Sequence, residues 1–100
     1  MRTENSTLFT IGQFAALHEI NKKTLMWYDE IGLLKPACVM ENGYRYYSYQ
    51  QSTVLETILM LRELNVSIEE IKLFLENRTI DTFDALLKEK IAELSQTISH

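Results

Sequence analysis

The chain has 100 residues and a mass of 11.7 kDa, enough for one ordinary domain or one domain with an appendage. Hydrophobic residues make up 46% and charged residues 24%, a globular rather than a disordered composition, and no apolar run approaches the roughly 18 residues of a membrane span. The net charge of −4 argues against a nucleic-acid partner until it is divided: residues 1–50 carry five basic and five acidic groups, residues 51–100 five against nine. Any nucleic-acid surface must therefore lie in the first half and depend on local clustering.

Met1–Thr7 is polar and lacks the apolar stretch of a signal peptide, and Cys38 has no second cysteine to pair with. With only His18 and His100 besides, we expect a cytoplasmic protein with no disulfide, metal or other cofactor. Three Gly and one Pro leave little loop punctuation, so helices should dominate. Three segments place Ser or Thr three residues before Gln or Glu: Thr10–Gln13, Ser48–Gln51 and Ser67–Glu70. In such a capping box the hydroxyl takes a free backbone N–H and the third side chain reaches back to the cap. Asn21 and Asp81 are simpler cap candidates.

In chain order, helix one covers about 11–18 with Ile11, Phe14, Ala15 and Leu17 as its apolar residues. Helix two covers about 22–31 with Leu25, Tyr28 and Ile31, and Gly32 follows as a residue able to take positive φ. Pro36 to Tyr47 has a different texture. Asn42-Gly43 between β-prone residues predicts a type I′ hairpin, hence a small two-stranded wing. Helix three (about 49–64) carries Val54, Leu55, Ile58, Leu61 and Leu64, with Asn65 at its end, and helix four (about 68–76) carries Ile68, Ile71, Phe74 and Leu75. The last segment, 81–100, repeats Phe83, Leu87, Ile91, Leu94 and Ile98 at near coiled-coil spacing, which predicts packing on a second chain. Nothing stops this helix before His100, and we expect the natural protein to continue beyond it.

Helix one, the turn Glu19-Ile20-Asn21 and helix two match a helix-turn-helix, whose second helix enters the major groove. Lys22, Lys23, Met26 and Trp27 fall off the buried stripe. Two lysines alone fit an ordinary solvated face equally well; a large aromatic beside them points to a contact surface. In the wing, Tyr44 and Tyr46 should share one face and Arg45 and Tyr47 the other, where an arginine and a phenol can donate to phosphate. A structural aromatic hairpin is the alternative for these tyrosines. No Ser/His/Asp or Cys/His set, carboxylate pair or Gly-rich phosphate loop suggests an enzyme.

The runs Phe9–Ala15, Lys23–Pro36 and Asn42–Ser48, then Leu61–Leu64 and Ser67–Ile71, together resemble the DNA-binding domain of the MerR family over about residues 8–77. The 81–100 helix sits where that family has its antiparallel dimerisation helix. The resemblance implies a mainly α fold: a winged helix-turn-helix of four helices with a small hairpin wing, then a long dimerisation helix. It implies a homodimeric bacterial transcription regulator that binds an inverted repeat in double-stranded promoter DNA and distorts the spacer for RNA polymerase. By position, the DNA contacts fall on Lys23, Thr24, Trp27 and Tyr28 of helix two, with Lys22 beside them, on Arg45 and Tyr47 of the wing, and on Arg62. The dimer interface falls on Phe83, Leu87, Ile91, Leu94 and Ile98. A small organic effector would act through a separate C-terminal domain. The chain departs from the family pattern at Met26, usually arginine, at Trp27, commonly tyrosine, and at Asn65, often glycine; losing the arginine removes a charge-assisted donor. A coiled-coil protein-interaction module and an architectural DNA-bending protein are the alternatives.

Overall fold

A computed structural model describes the backbone of residues 8–98 and the side chains as far as Leu94. It has five helices and a three-stranded sheet in the order β1 (Leu8–Thr10), α1 (Ile11–Leu17), α2 (Lys22–Glu30), β2 (Cys38–Val39), β3 (Arg45–Ser48), α3 (Gln51–Glu63), α4 (Ile68–Glu76) and α5 (Ile80–Ile98). The chain divides into two compact units, 1–57 and 58–100, with the boundary inside α3.

Helix ends in both units follow capping chemistry. Thr10 and Gln13 form a complete capping box on α1, and Ser67 and Glu70 form one on α4. Asn21 Oδ1 accepts the Lys23 N–H at 2.7 Å and starts α2. At α3 only half of the expected box forms: Gln51 Oε1 accepts the Ser48 N–H at 2.9 Å, but Ser48 closes β3 and the helix begins three residues later. Asp81 is not a cap. Thr79 takes that place, its Oγ1 accepting the Thr82 N–H while Thr82 Oγ1 accepts the Thr79 N–H, both at 3.0 Å. Asp81 instead sits in the first turn, where its charge suits the positive end of the helix.

Three helices end in the same way. After α2, Leu33 N–H bonds to Tyr28 C=O and Gly32 N–H to Asp29 C=O, with Gly32 at φ 77°. This is the Schellman pattern, in which a left-handed residue lets the chain cap its own last carbonyls. Asn65 (φ 66°) plays the same role after α3, with Val66 N–H on Leu61 C=O. Glu19 (φ 56°) plays it after α1, with Ile20 N–H on Ala15 C=O. A glutamate in this conformation carries strain of about 1 kcal/mol that glycine would not.

In the first unit the sheet order is β1-β3-β2, both pairs antiparallel, with Phe9 opposite Tyr47 and Cys38 opposite Tyr46. The outer strand β1 was not predicted, because three residues carry too short an alternation. The wing turn also differs from expectation. In the turn itself Asn42 does not take positive φ, whereas Gly43 does, at 87°. The carbonyl of Met40 accepts Gly43 N–H at 2.8 Å and Met40 N–H bonds to Tyr44 C=O at 2.9 Å. The loop is therefore three residues, Glu41–Gly43, with glycine in the bulge position, rather than a two-residue type I′ turn. Asn42 Oδ1 accepts Tyr44 N–H instead, holding the turn from the side chain.

The core of this unit is Phe14, Ala15, Leu25, Tyr28, Leu33, Leu34, Tyr47 and Leu55. Phe14 is its hub: it stacks on Tyr47 at 4.8 Å and 6°, and meets the edge of His18 at 4.9 Å. His18 Nε2 lies 2.9 Å from Ser52 Oγ, tying the end of α1 to the start of α3. In the second unit Ile58, Leu61, Val66 and Ile71 are buried. There α5 packs back on α4: Phe83 lies 5.6 Å from Phe74, and the buried Lys90 ammonium reaches Glu70 at 3.2 Å and Glu93 at 3.4 Å.

Candidate nucleic-acid interface

The elements of the first unit place α2 beside the wing. Because Leu25 and Tyr28 turn inward, Lys22 and Met26 fall on one outer edge of α2, and Lys23 and Trp27 on the next. Trp27 is 46% exposed, an unusual fraction for a large aromatic ring, while Lys22 and Lys23 are exposed and Thr24 is half-buried. Lys22 and Met26 form one wall of a groove of about 500 Å³ whose other side is the wing tip, Asn42, Gly43, Tyr44 and Arg45. The helix-turn-helix and the wing thus converge on one concave surface.

Arg45 does not hang free over this groove. Its Nε donates to Asp29 Oδ2 at 2.8 Å, and Lys35 Nζ donates to Asp29 Oδ1 at 3.2 Å. The Arg45 hydrogen bond, helped by Lys35 and opposed by burial, holds the Asp29 carboxyl below its ordinary range, and the same bond raises Arg45. Asp29 and Lys35 were not singled out in the sequence. The available signal was position: a carboxylate in the last turn of a helix opposes the negative end of the dipole and calls for a cation.

Two of the expected contacts lie elsewhere. Tyr47 is fully buried against Phe14, and Tyr28 is 4% exposed in the core, so neither ring forms part of the groove. Arg45 and Tyr47 do share a face of β3, as alternation requires, but the core covers that face at Tyr47 and leaves it partly open at Arg45, nearer the wing tip. The Tyr47 hydroxyl has no hydrogen-bond partner, and burial pushes its pKa up to about 12. Arg62 belongs to the second unit, where its Nη1 donates to Val66 C=O at 2.7 Å and closes the turn after α3.

The expected coiled-coil stripe is partly covered by its own chain and partly exposed. Phe83 is engaged within the chain on Phe74, and Leu87 is half-buried. Ile91 and Leu94 are 60% and 46% exposed, and the Ile98 side chain lies outside the described residues. No described helix is long and apolar enough to cross a membrane.

A helix-turn-helix of two short helices, a β wing beside the second, and a groove between them define a winged helix-turn-helix. The chain belongs to the MerR family: the model of the MerR HTH family regulatory protein matches residues 9–78. Over 91 residues it is 44% identical to the Multidrug-efflux transporter 2 regulator of Bacillus subtilis, covering 91% of this chain and 33% of that protein. A crystal structure of a MerR-family transcriptional regulator from Bacillus cereus matches 93% of this chain and 69% of its own, with a TM-score of 0.78 at 28% identity. The EcmrR–DNA complex solved by cryo-electron microscopy matches 91% of this chain and 33% of its own, with a TM-score of 0.75 at 32% identity. The chain thus spans about a third of the length of the multidrug-efflux regulator that it resembles. The family is one of transcription regulators.

Proposed function

We propose that the chain is the promoter-recognition part of a transcription regulator, in which α2 enters the major groove and the wing grips the flanking phosphates. The observation that carries this reading is that Lys22 and Met26 of α2 face one groove with Arg45, with Lys23 and the exposed Trp27 on the adjoining edge of the helix. Lys22, Lys23 and Thr24 lie at the start of the helix, where the positive end of the dipole and the two lysine charges favour phosphate oxygens. Met26 and Trp27 offer apolar surface suited to thymine methyl groups and sugar edges. Arg62 contributes only if its guanidinium leaves the α3 turn.

The unit of binding is a homodimer joined through α5, with Leu87, Ile91, Leu94 and Ile98 on the seam and Phe83 bracing the helix from within. Residues 8–77 then serve as the DNA-binding domain and 81–100 as the start of the dimerisation element. RNA polymerase is the downstream partner, a small organic effector would act through further C-terminal sequence, and the place of action is the cytoplasm. No catalytic step is assigned to any residue.

Selection of the chain on a random duplex pool, with sedimentation of the free protein, tests this reading. Enrichment of an inverted repeat by a dimer is expected. Counting Lys22, Lys23 and Arg45 in each of two protomers gives a salt slope of about −5 in log K against log salt. A dimer that enriches no sequence would refute promoter recognition and favour a protein-interaction module.

A further inference from the structure

We propose that Asp29 is a positioning residue for DNA binding: by accepting only Nε of Arg45, it fixes the guanidinium at the groove wall and leaves both terminal nitrogens for a backbone phosphate. This rests on the DNA-binding reading above and adds a residue to it that carries the same charge as the ligand. The Asp29 side chain is 16% exposed and Arg45 is 30% exposed, so the pair is bound at its inner edge and open at its outer one. The Arg45 side chain makes no other hydrogen bond among the described residues. Asp29 stands on α2 and Arg45 on β3, so the same bond sets the spacing between recognition helix and wing. Lys35, bonded to both the carboxylate and the carbonyl of Asp29 at 3.2 Å, steadies the acceptor. An arginine tethered through one nitrogen has surrendered its rotamer freedom before the phosphate arrives, and its planar fork still presents a bidentate edge.

The opposite reading is that Asp29 only quenches Arg45 and repels DNA. The two differ in sign. Anisotropy titrations of the whole chain would use the selected duplex and a 30-base-pair duplex of random sequence, from low to moderate salt. Arg45→Ala should weaken binding about tenfold and reduce the salt slope by about one. Asp29→Ala should weaken it to a similar extent although it removes a negative charge, and the double variant should be no weaker than either single one. Asp29→Asn, which keeps an acceptor oxygen for Nε, should restore binding. Tighter binding by Asp29→Ala, or losses that add in the double variant, would overturn the proposal while leaving DNA recognition intact. If Asp29→Ala fails to fold by circular dichroism, Arg45→Lys decides. A lysine has one charged head for two anions, so a loss near that of Arg45→Ala is expected, and wild-type binding would overturn the proposal. Absence of salt-dependent binding by the wild type to either duplex would overturn the DNA reading itself, and this inference with it.

Discussion

Removing one oxygen atom from the core should stabilise this protein. Tyr47 is fully buried, stacked on Phe14 at 4.8 Å, and its hydroxyl has no hydrogen-bond partner. A buried polar group left unpaired costs about 1–3 kcal/mol, whereas the ring stack is retained by phenylalanine. Taking the lower end, Tyr47→Phe should raise the melting temperature by about 4–8 °C for a domain of this size. The alkaline limb supplies a second reading of the same atom. Burial raises the phenol to about 12, above its ordinary 10, so the folded state favours the neutral form. The associated stability is complete below pH 10 and is lost as pH rises toward 12, by an amount on the order of 2 kcal/mol. The phenylalanine variant should lack that loss. Melts followed by circular dichroism at pH 7 and pH 10.5 would measure both effects, with DNA titration alongside. A lower melting temperature at pH 7 would refute the reasoning by revealing a partner for the hydroxyl. A tenfold loss of DNA affinity would refute it differently, by returning Tyr47 to the contact surface.

Glu19→Gly should raise stability by about 0.5–1 kcal/mol, read as an increase in urea midpoint, because glycine relieves the left-handed residue after α1. Asp29 is held below its ordinary pKa by Arg45, so its contribution is present above about pH 4 and lost as pH falls through the depressed value. Acid melts should therefore fall more steeply for the wild type than for Asp29→Asn, and parallel curves would deny the ion pair its role in stability. Leu94→Asp should convert a dimer to a monomer in sedimentation, since Leu94 is exposed on α5 and has no core of its own chain to leave. An unchanged dimer would move the interface off this edge.

The helices were legible because capping chemistry is local. Thr10–Gln13, Asn21 and Ser67–Glu70 each needed only a few consecutive residues to be recognised, and each bond formed where expected. Ser48–Gln51 misled because Ser48 was already committed to pairing with Leu8, a partner 40 positions away. The Asn42-Gly43 turn misled for a related reason: two-residue and three-residue hairpins share the dipeptide, and strand register decides between them. The outward edge of α2 was readable from period alone, since Leu25 and Tyr28 fix the inward one. Period put Tyr28 inward and the family resemblance put it among the DNA contacts, and period was right; Tyr47 was harder. Whether a tyrosine points its ring into the core or its hydroxyl into solvent depends on which side of a strand or helix faces Phe14. Asp29 was invisible as an organiser because its partners, Lys35 and Arg45, are 6 and 16 residues away.

The charge pattern of α2 runs against its own dipole at both ends, and that conflict ties the fold to the proposed activity. Lys22 and Lys23 stand at the positive end, Asp29 and Glu30 at the negative end, an arrangement that lowers helix stability by about 0.3–1 kcal/mol per misplaced charge. At the negative end the chain corrects itself, because Lys35 and Arg45 close on Asp29. At the positive end no carboxylate pairs with either lysine among the described residues. A polyanion laid across that end would supply the missing charge. Lys22→Glu should therefore stabilise the free protein by a few tenths to about 1 kcal/mol while weakening DNA binding at least tenfold. A variant that lost both stability and binding would show instead that Lys22 belongs to the fold, and that α2 is not strained toward a ligand at its N-terminus.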